Sequence, residues 1–295
     1  MVLGDDERRE HDEPAFDEQT GGTASMTQSL REVWQYRGLI GNFANREIKG
    51  KYKGSLLGSA WSLINPLATL ATYSLVFGFI LRFPTPVAGN GSLTSFPIYL
   101  FTALVVWNFF HAVTTSGMGA LVGAGPLLRK IHFPPFAPVM GSALAVLNQT
   151  AIEFGLLFVV YLVVVNISWT ILMVPVLLAM LGAFALGLGM LLAILNARFR
   201  DVNYIVTVLL GLLFYASPII YPITLVTDLY DEHPWLRAYE YNPITSYVEA
   251  FRDVLWHLSF PGWGRLAYLA VVSVVTLVVG WTFFQRKAAD VSEEL

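Results

Sequence analysis

Gln149 and Glu153 stand four residues apart inside the long apolar run 137–165, so a helix places them on one face. A carboxyl group within a membrane span is expensive and must face protein or water. Two readings of Glu153 therefore stand side by side: a group in a pathway, or a hydrogen-bonded structural group. A second set of cations, Arg46, Lys49, Lys51 and Lys53, precedes the first apolar run. Such a cluster serves as an ordinary positive-inside anchor on the inner face of a membrane. A third set lies in GPLLRKIHFPPFAP, 125–138, where Arg129 and Lys130 sit between Pro126 and the pair Pro134 and Pro135. The prolines predict a separate helical piece of one or two turns between the flanking spans. Leu127, Leu128, Ile131 and Phe133 offer apolar contact around those cations and His132, which is the composition of a docking element.

Bond-making chemistry finds little support. There is no GxxxxGK[ST], no HExxH, no G-x-S-x-G and no Asp-x-Asp pair. The five histidines, His11, His111, His132, His233 and His257, show no ligand spacing, and the absence of cysteine removes thiolate and disulfide chemistry. Asp201, in the turn ARFRD, is the one acid in the basic loops between spans, and Arg198 and Arg200 flank it. A membrane enzyme acting on lipid-linked sugar would need acidic or histidine pairs that these loops do not supply.

The elements that carry these residues follow from composition. The chain has 295 residues, 55% hydrophobic and 13% charged, with a mean hydropathy of +0.58. Soluble domains carry about 25% charged residues. Six runs are long enough to cross a bilayer: roughly 58–82, 95–123, 137–165, 170–196, 203–222 and 265–284. They lack the period-2 alternation of membrane barrels, so they are helices and the fold class is an all-α membrane protein. All five lysines, with Arg46, Arg129, Arg198, Arg200 and Arg286, fall on one side of this arrangement, which predicts both chain ends inside. The chain divides into an acidic disordered tail over 1–28, an amphipathic interface helix over 29–54, a transmembrane region over 55–288 and a short tail over 289–295. The tail lacks the basic and apolar regions of a signal peptide. Before the last span, 243–258 shows helical spacing, with Ile244, Tyr247, Val248, Phe251, Val254 and Leu255 on one side and Glu249, Arg252 and Asp253 on the other. It is too short and too charged to span, and the half-apolar segment 223–264 that contains it reads as one or two helices dipping into or lying on the outer interface.

Aromatic residues recur through the spans. Trp61, Tyr73, Phe77, Trp107, Phe110, Phe214 and Tyr215 are candidates, with Glu153, for lining a pathway in which sugar rings stack on aromatic faces. Their periodicity also fits plain packing. Asn65-Pro66 predicts a kink in the first span, and Gly182, Ala185 and Gly189 form a stripe for close helix packing in the fourth.

Four motifs in order carry a resemblance. NREIKGKYKGSLLGSAWSLINPL (45–67) resembles the beginning of polysaccharide-exporting ABC permeases of the ABC-2 type, through Lys51, Tyr52, Lys53, Ser55, Leu57, Gly58, Trp61 and Pro66. LLRKIHFP (127–134), ARFRDV (197–202) and SPIIYP (217–222) followed by YNPIT (241–245) are similar to later motifs of that family, with Asn242, Pro243 and Arg252 fitting its outer re-entrant segment. The resemblance covers about residues 30–288.

It implies the ABC-2 exporter fold: six transmembrane helices, an amphipathic interface helix and outer re-entrant helices before the last span. It also implies a permease subunit rather than an enzyme, paired with a second copy of itself and with two cytosolic ATPase subunits that bind ATP and magnesium. The chain itself would hold no cofactor or metal. The cargo would be a glycan on a polyprenyl diphosphate, moved outward across the inner or plasma membrane; membrane lipids are the other contacts, and nucleic acid is not among them. Residues 127–133, with Arg200 and Asp201, would couple to the ATPases. Arg46, Lys49, Lys51 and Lys53 would meet the diphosphate. Asn242, Pro243, Tyr247, Phe251 and Arg252 would form the outer gate helices. Arginine outnumbers lysine 13 to 5, a high-GC signature that favours a galactan cargo over O-antigen or teichoic acid. An ABC-2 permease for a drug or simple lipid is the alternative; such members commonly carry a large outer domain or a fused ATPase.

Overall fold

A computed structural model describes residues 26–131 and 133–294. His132 and residues 1–25 of the expected tail lie outside the described residues. Among the described residues all regular structure is helical. Two units are distinguished. The first ends at Tyr36 and holds helix α1 (Met26–Gln35), which begins inside the stretch expected to be tail.

The second unit, from Arg37 onward, begins with α2 (Arg37–Lys51). The single interface helix expected over 29–54 is thus two helices, separated at Tyr36. Ile40 and Ala44 are the buried residues of α2. They pack on α5 (Phe136–Val163) where Gly141 lies directly under Phe43 and the backbone of Ile40 and Ala44. An added Cβ at Gly141 would stand 2.5 Å from that of Phe43, so α2 is seated in a groove that needs glycine.

Among the described residues five helical stretches are long and apolar enough to cross a membrane: Gly58–Ile80, Phe96–Leu128, Phe136–Val163, Trp169–Arg198 and Trp263–Ala288. The first contains α3 (Trp61–Tyr73), which runs through Pro66, and a π-helical turn over Ser74–Ile80. The next is α4 (Phe96–Leu128). The fourth contains α6 (Val174–Arg198), and the last is α10 (Trp263–Glu294), which continues through the expected tail at 289–294. The expected fifth span is helical only over α7 (Val202–Tyr215). Fourteen residues rise about 21 Å, short of the ~30 Å of a bilayer core. The chain leaves the helix at Ala216 because Asn242 and Arg252 claim groups of 216–219 for hydrogen bonds.

Helix α4 is the centre of the bundle and the most buried of the long helices, contacting α5, α6 and α9 (Pro243–Leu255). Lipid tails are as apolar as leucine, so close backbone approach holds such helices together. At the α6–α10 crossing, Gly280 lies so near Gly187 that an added Cβ would stand 2.0 Å from the Gly187 carbonyl oxygen. At the α4–α6 crossing Gly117 faces Gly189. Gly189 belongs to the stripe read from the sequence; Gly187 and Gly280 do not.

Pro126 does not end the second span. Helix α4 passes through it and stops at Leu128. A proline so near the C-terminus removes only one hydrogen bond of the last turns. The 33 residues of α4 rise about 50 Å, roughly 20 Å more than a bilayer core. The separate short helix expected over LLRKIHF is therefore the last turn of α4 and the turn after it.

Candidate functional site

A cavity of about 390 Å³ opens between α3, α4 and α5 toward the end of the bundle that carries Lys51. Trp61 and Asn65 of α3, Trp107 and Asn108 of α4, and Gln149 and Glu153 of α5 line it. Glu153 is 5% exposed. Its Oε1 accepts a hydrogen bond from Gln149 Nε2 at 3.0 Å, and its Oε2 accepts from Asn108 Nδ2 at 3.5 Å. Gln149 Nε2 also donates to the Ser62 carbonyl at 2.6 Å, and Tyr52 Oη donates to Gln149 Oε1 at 3.3 Å. The four-residue spacing of Gln149 and Glu153 thus puts both into one network that ties α5 to α3, α4 and the end of α2. Glu153 is hydrogen-bonded within the fold and also lines the cavity. A buried carboxyl costs free energy unless so satisfied. Lys51 at the mouth is exposed and lies 5.4 Å from the Tyr52 ring centroid.

Aromatic rings lead away from this cavity. Trp107 meets Phe214 at 5.4 Å, Phe214 meets Tyr73 at 6.0 Å, Tyr73 meets Phe77 at 6.0 Å, and Phe77 meets Phe83 at 5.3 Å. The line crosses the bundle between α3, α4 and α7. Tyr215, beside Phe214 at 5.2 Å, is exposed at its edge. The expectation that Phe110 lines a pathway is corrected: it is 1% exposed and stacked on Phe184 at 5.5 Å, in the core between α4 and α6. The close α4–α6 crossing brings Phe184 within reach.

At the end of the bundle that carries Lys51, the overlong α4 ends in a turn with Arg129, Lys130 and Ile131 exposed and Leu127 and Leu128 half-buried. Phe133 packs on Phe43 of α2 at 5.4 Å, so the turn is tied to the helix bearing Arg46 and Lys49. Arg46 and Lys49, like Lys53 just beyond α2, are exposed. Glu47, beside them, has its carboxyl pushed above the usual range by burial, an effect that Lys51 opposes. Arg200 and Asp201 are exposed in the turn between α6 and α7.

At the opposite end, α9 starts where Asn242 Oδ1 accepts from the Ile244 amide at 2.9 Å, with Pro243 in the first turn. Both sides of α9 are buried, the side that carries the charges included. Tyr247, Phe251 and Arg252 are each 0% exposed, and Glu249 is 9%. Arg252 donates to the carbonyls of Pro218 at 2.6 Å and Ile219 at 2.9 Å and to Glu249 Oε1 at 3.0 Å. The charged side of α9 therefore holds the turn at 218–219. Three partners were not singled out by sequence reasoning. Asn166 Nδ2 donates to the Leu255 and Trp256 carbonyls at 2.9 and 3.1 Å, Thr170 Oγ1 donates to the Val254 carbonyl at 2.8 Å, and Tyr99 lies under Arg252. Asn166 was findable: it interrupts an apolar stretch where an amide needs partners.

Long apolar helices packed around a polar cavity describe a membrane-embedded protein. The sequence profile of the ABC-2 type transporter family matches residues 39–256, and the chain belongs to that family. Over 273 residues it is 30% identical to the O-antigen export system permease protein RfbA of Myxococcus xanthus, covering 92% of this chain and 100% of the relative. A protein of the same description from Klebsiella pneumoniae is 26% identical over 246 residues, 82% of this chain and 89% of that one. The polysialic acid transport protein KpsM of Escherichia coli is 22% identical over 253 residues, 82% and 90%. The resemblance to polysaccharide-export permeases read from the four motifs thus extends over nearly the whole chain.

Proposed function

We propose that this chain is the membrane subunit of an ATP-driven exporter. It moves a polyprenyl-diphosphate-linked polysaccharide from the cytosol to the outside, working as a homodimer with two separate ATPase subunits that bind ATP and magnesium. The observation that carries this reading is the cavity at the basic end continued by the aromatic line from Trp107 to Phe83. Polar groups that hold a hydroxyl-rich ligand stand at one end, and rings on which sugars stack lead across the bundle. The basic end is then the cytosolic end, with both chain ends inside.

The tip of α4, with Arg129, Lys130 and Ile131, meets the ATPase, as do Arg200 and Asp201 in the turn between α6 and α7. Arg46, Lys49, Lys51 and Lys53 meet the diphosphate, where cations offset its charge. Anchored α9 and its neighbouring turns form the outer gate. The favoured cargo is a galactan-type cell-wall precursor, on the composition argument alone. Removing the gene tests the reading: lipid-linked glycan should accumulate inside and surface glycan should fall, both reversed by the wild-type chain. Unchanged surface glycan in the deletion strain would sink it.

A further inference from the structure

We infer that the cavity between α3, α4 and α5 is a recognition subsite for one uncharged sugar residue, in which Glu153 selects neutral glycans over those bearing carboxylates. The inference rests on the export reading above and narrows its cargo class. The first argument is size. Ligand sites run from about 300 to 1,000 Å³, and about 390 Å³ fits a single ring rather than a folded oligosaccharide. A polymer would pass it one residue at a time.

The second argument is the pattern of donors and acceptors. An ionised carboxylate only accepts, and it has about four lone-pair sites. Gln149 and Asn108 occupy one site on each oxygen of Glu153. The acceptor sites left over suit a ligand that brings O–H donors, as a vicinal diol does. Asn108 keeps one N–H beyond its bond to Glu153, while both N–H groups of Gln149 are engaged by Ser62 and Glu153, so a diol would find an acceptor and one amide donor in a fixed array. Trp61 and Trp107 supply apolar walls for the C–H faces of a ring. Trp61 is itself held by a hydrogen bond from Nε1 to Ser55 Oγ at 3.1 Å.

The third argument is charge. Glu153 is the acid of the lining; Lys51 stands exposed at the mouth and His111 lines the α4 wall. A sugar carboxylate entering the cavity would come within hydrogen-bond reach of Glu153, and two carboxylates sharing one site repel. A uronate or sialate unit is therefore rejected at a position where a neutral hexose is accepted.

The full-length chain in lipid nanodiscs tests this, with saturation-transfer NMR reading weak sugar binding. The probes are a neutral galacto-oligosaccharide and an oligogalacturonate of equal length, which differ by their carboxylates. The wild-type chain should bind the neutral oligomer at least about fivefold more tightly, the scale of one hydrogen bond or one unfavourable charge contact. Glu153→Gln should bring the two within about twofold. Trp61→Ala, at a partly exposed position outside the amide network, should weaken the neutral oligomer without restoring the galacturonate. Equal binding of both probes by the wild type overturns the inference, as does undiminished discrimination in Glu153→Gln. If that variant fails to fold, unaltered neutral binding by Trp61→Ala overturns it instead. No binding of the neutral oligomer by a chain that restores export in the deletion strain overturns the subsite and leaves the export reading standing.

Discussion

The guanidinium of Arg252 lies 3.8 Å from the centroid of the Tyr99 ring, so a fully buried cation rests on an aromatic face while its nitrogens hold two carbonyls and Glu249. The planar fork does what a lysine ammonium cannot, because it satisfies the Pro218 and Ile219 carbonyls together. Removing it leaves Glu249 buried without its partner, and breaking a buried pair on one side costs roughly 3–5 kcal/mol. Arg252→Ala should therefore lower the thermal unfolding midpoint sharply and open 216–262 to protease. Arg252→Lys should fall between that variant and the wild type. An unchanged midpoint in both would show that α9 is held by its apolar contacts alone.

What the sequence makes legible follows from what is local. Hydropathy finds the long helices because each needs about 20 apolar residues. The spacing of Gln149 and Glu153 predicts a shared face, and the network bears both on one wall. Helix α9 is legible as a helix, yet its burial is not. Charged residues such as Glu249 and Arg252 are almost never fully buried unless paired, and the partners of Arg252, Tyr99 and the 218–219 carbonyls, are far away in sequence. The continuation of α4 through Pro126 escapes for a related reason. Proline disfavours helix in the residue before it, while packing of the bundle overrides that preference near the helix end.

The Gly187–Gly280 approach predicts a sharp contrast among glycines. A Cβ at Gly280 meets Gly187 backbone at 2.0 Å, where no flexible side chain can yield. Gly280→Ala should destabilise by about 1–3 kcal/mol, the usual cost of overpacking. Gly155, also helical, has nothing within 4 Å of an added Cβ. Gly155→Ala should be neutral or stabilising by up to ~1 kcal/mol, because alanine favours the helix. Thermal midpoints of the two purified variants in one detergent check the order.

Asp253 gives the stability a pH dependence. Burial pushes its carboxyl from the ordinary 3.8 up to about 6; Arg265 opposes that rise and Glu249 adds to it. Between those two values the folded state binds more protons than the unfolded chain, so this group's contribution to stability falls as pH rises from about 4 to about 6. Asp253→Asn cannot titrate. The difference in unfolding midpoint between wild type and Asp253→Asn should therefore shift across that window, with the wild type losing ground as pH rises. A constant difference from pH 4 to 7 would show that the ion pair with Arg265 keeps Asp253 ionised throughout.

The contact between Phe133 and Phe43 predicts how force passes from the tip of α4. On the export reading, the exposed Arg129, Lys130 and Ile131 meet an ATPase, and Phe133 hands that motion to α2. Arg129→Glu with Lys130→Glu should insert normally and abolish export. Phe133→Ala leaves the docking cations in place, so the ATPase should still bind. Its stimulation by this chain should fall by about fivefold or more, the effect of losing about 1 kcal/mol at a packed contact. Reconstituted complexes assayed for both ATP hydrolysis and glycan appearance separate the two steps. Normal export by the double-glutamate variant would remove the docking role from this turn, and full stimulation by Phe133→Ala would move the transmission path to α4 itself.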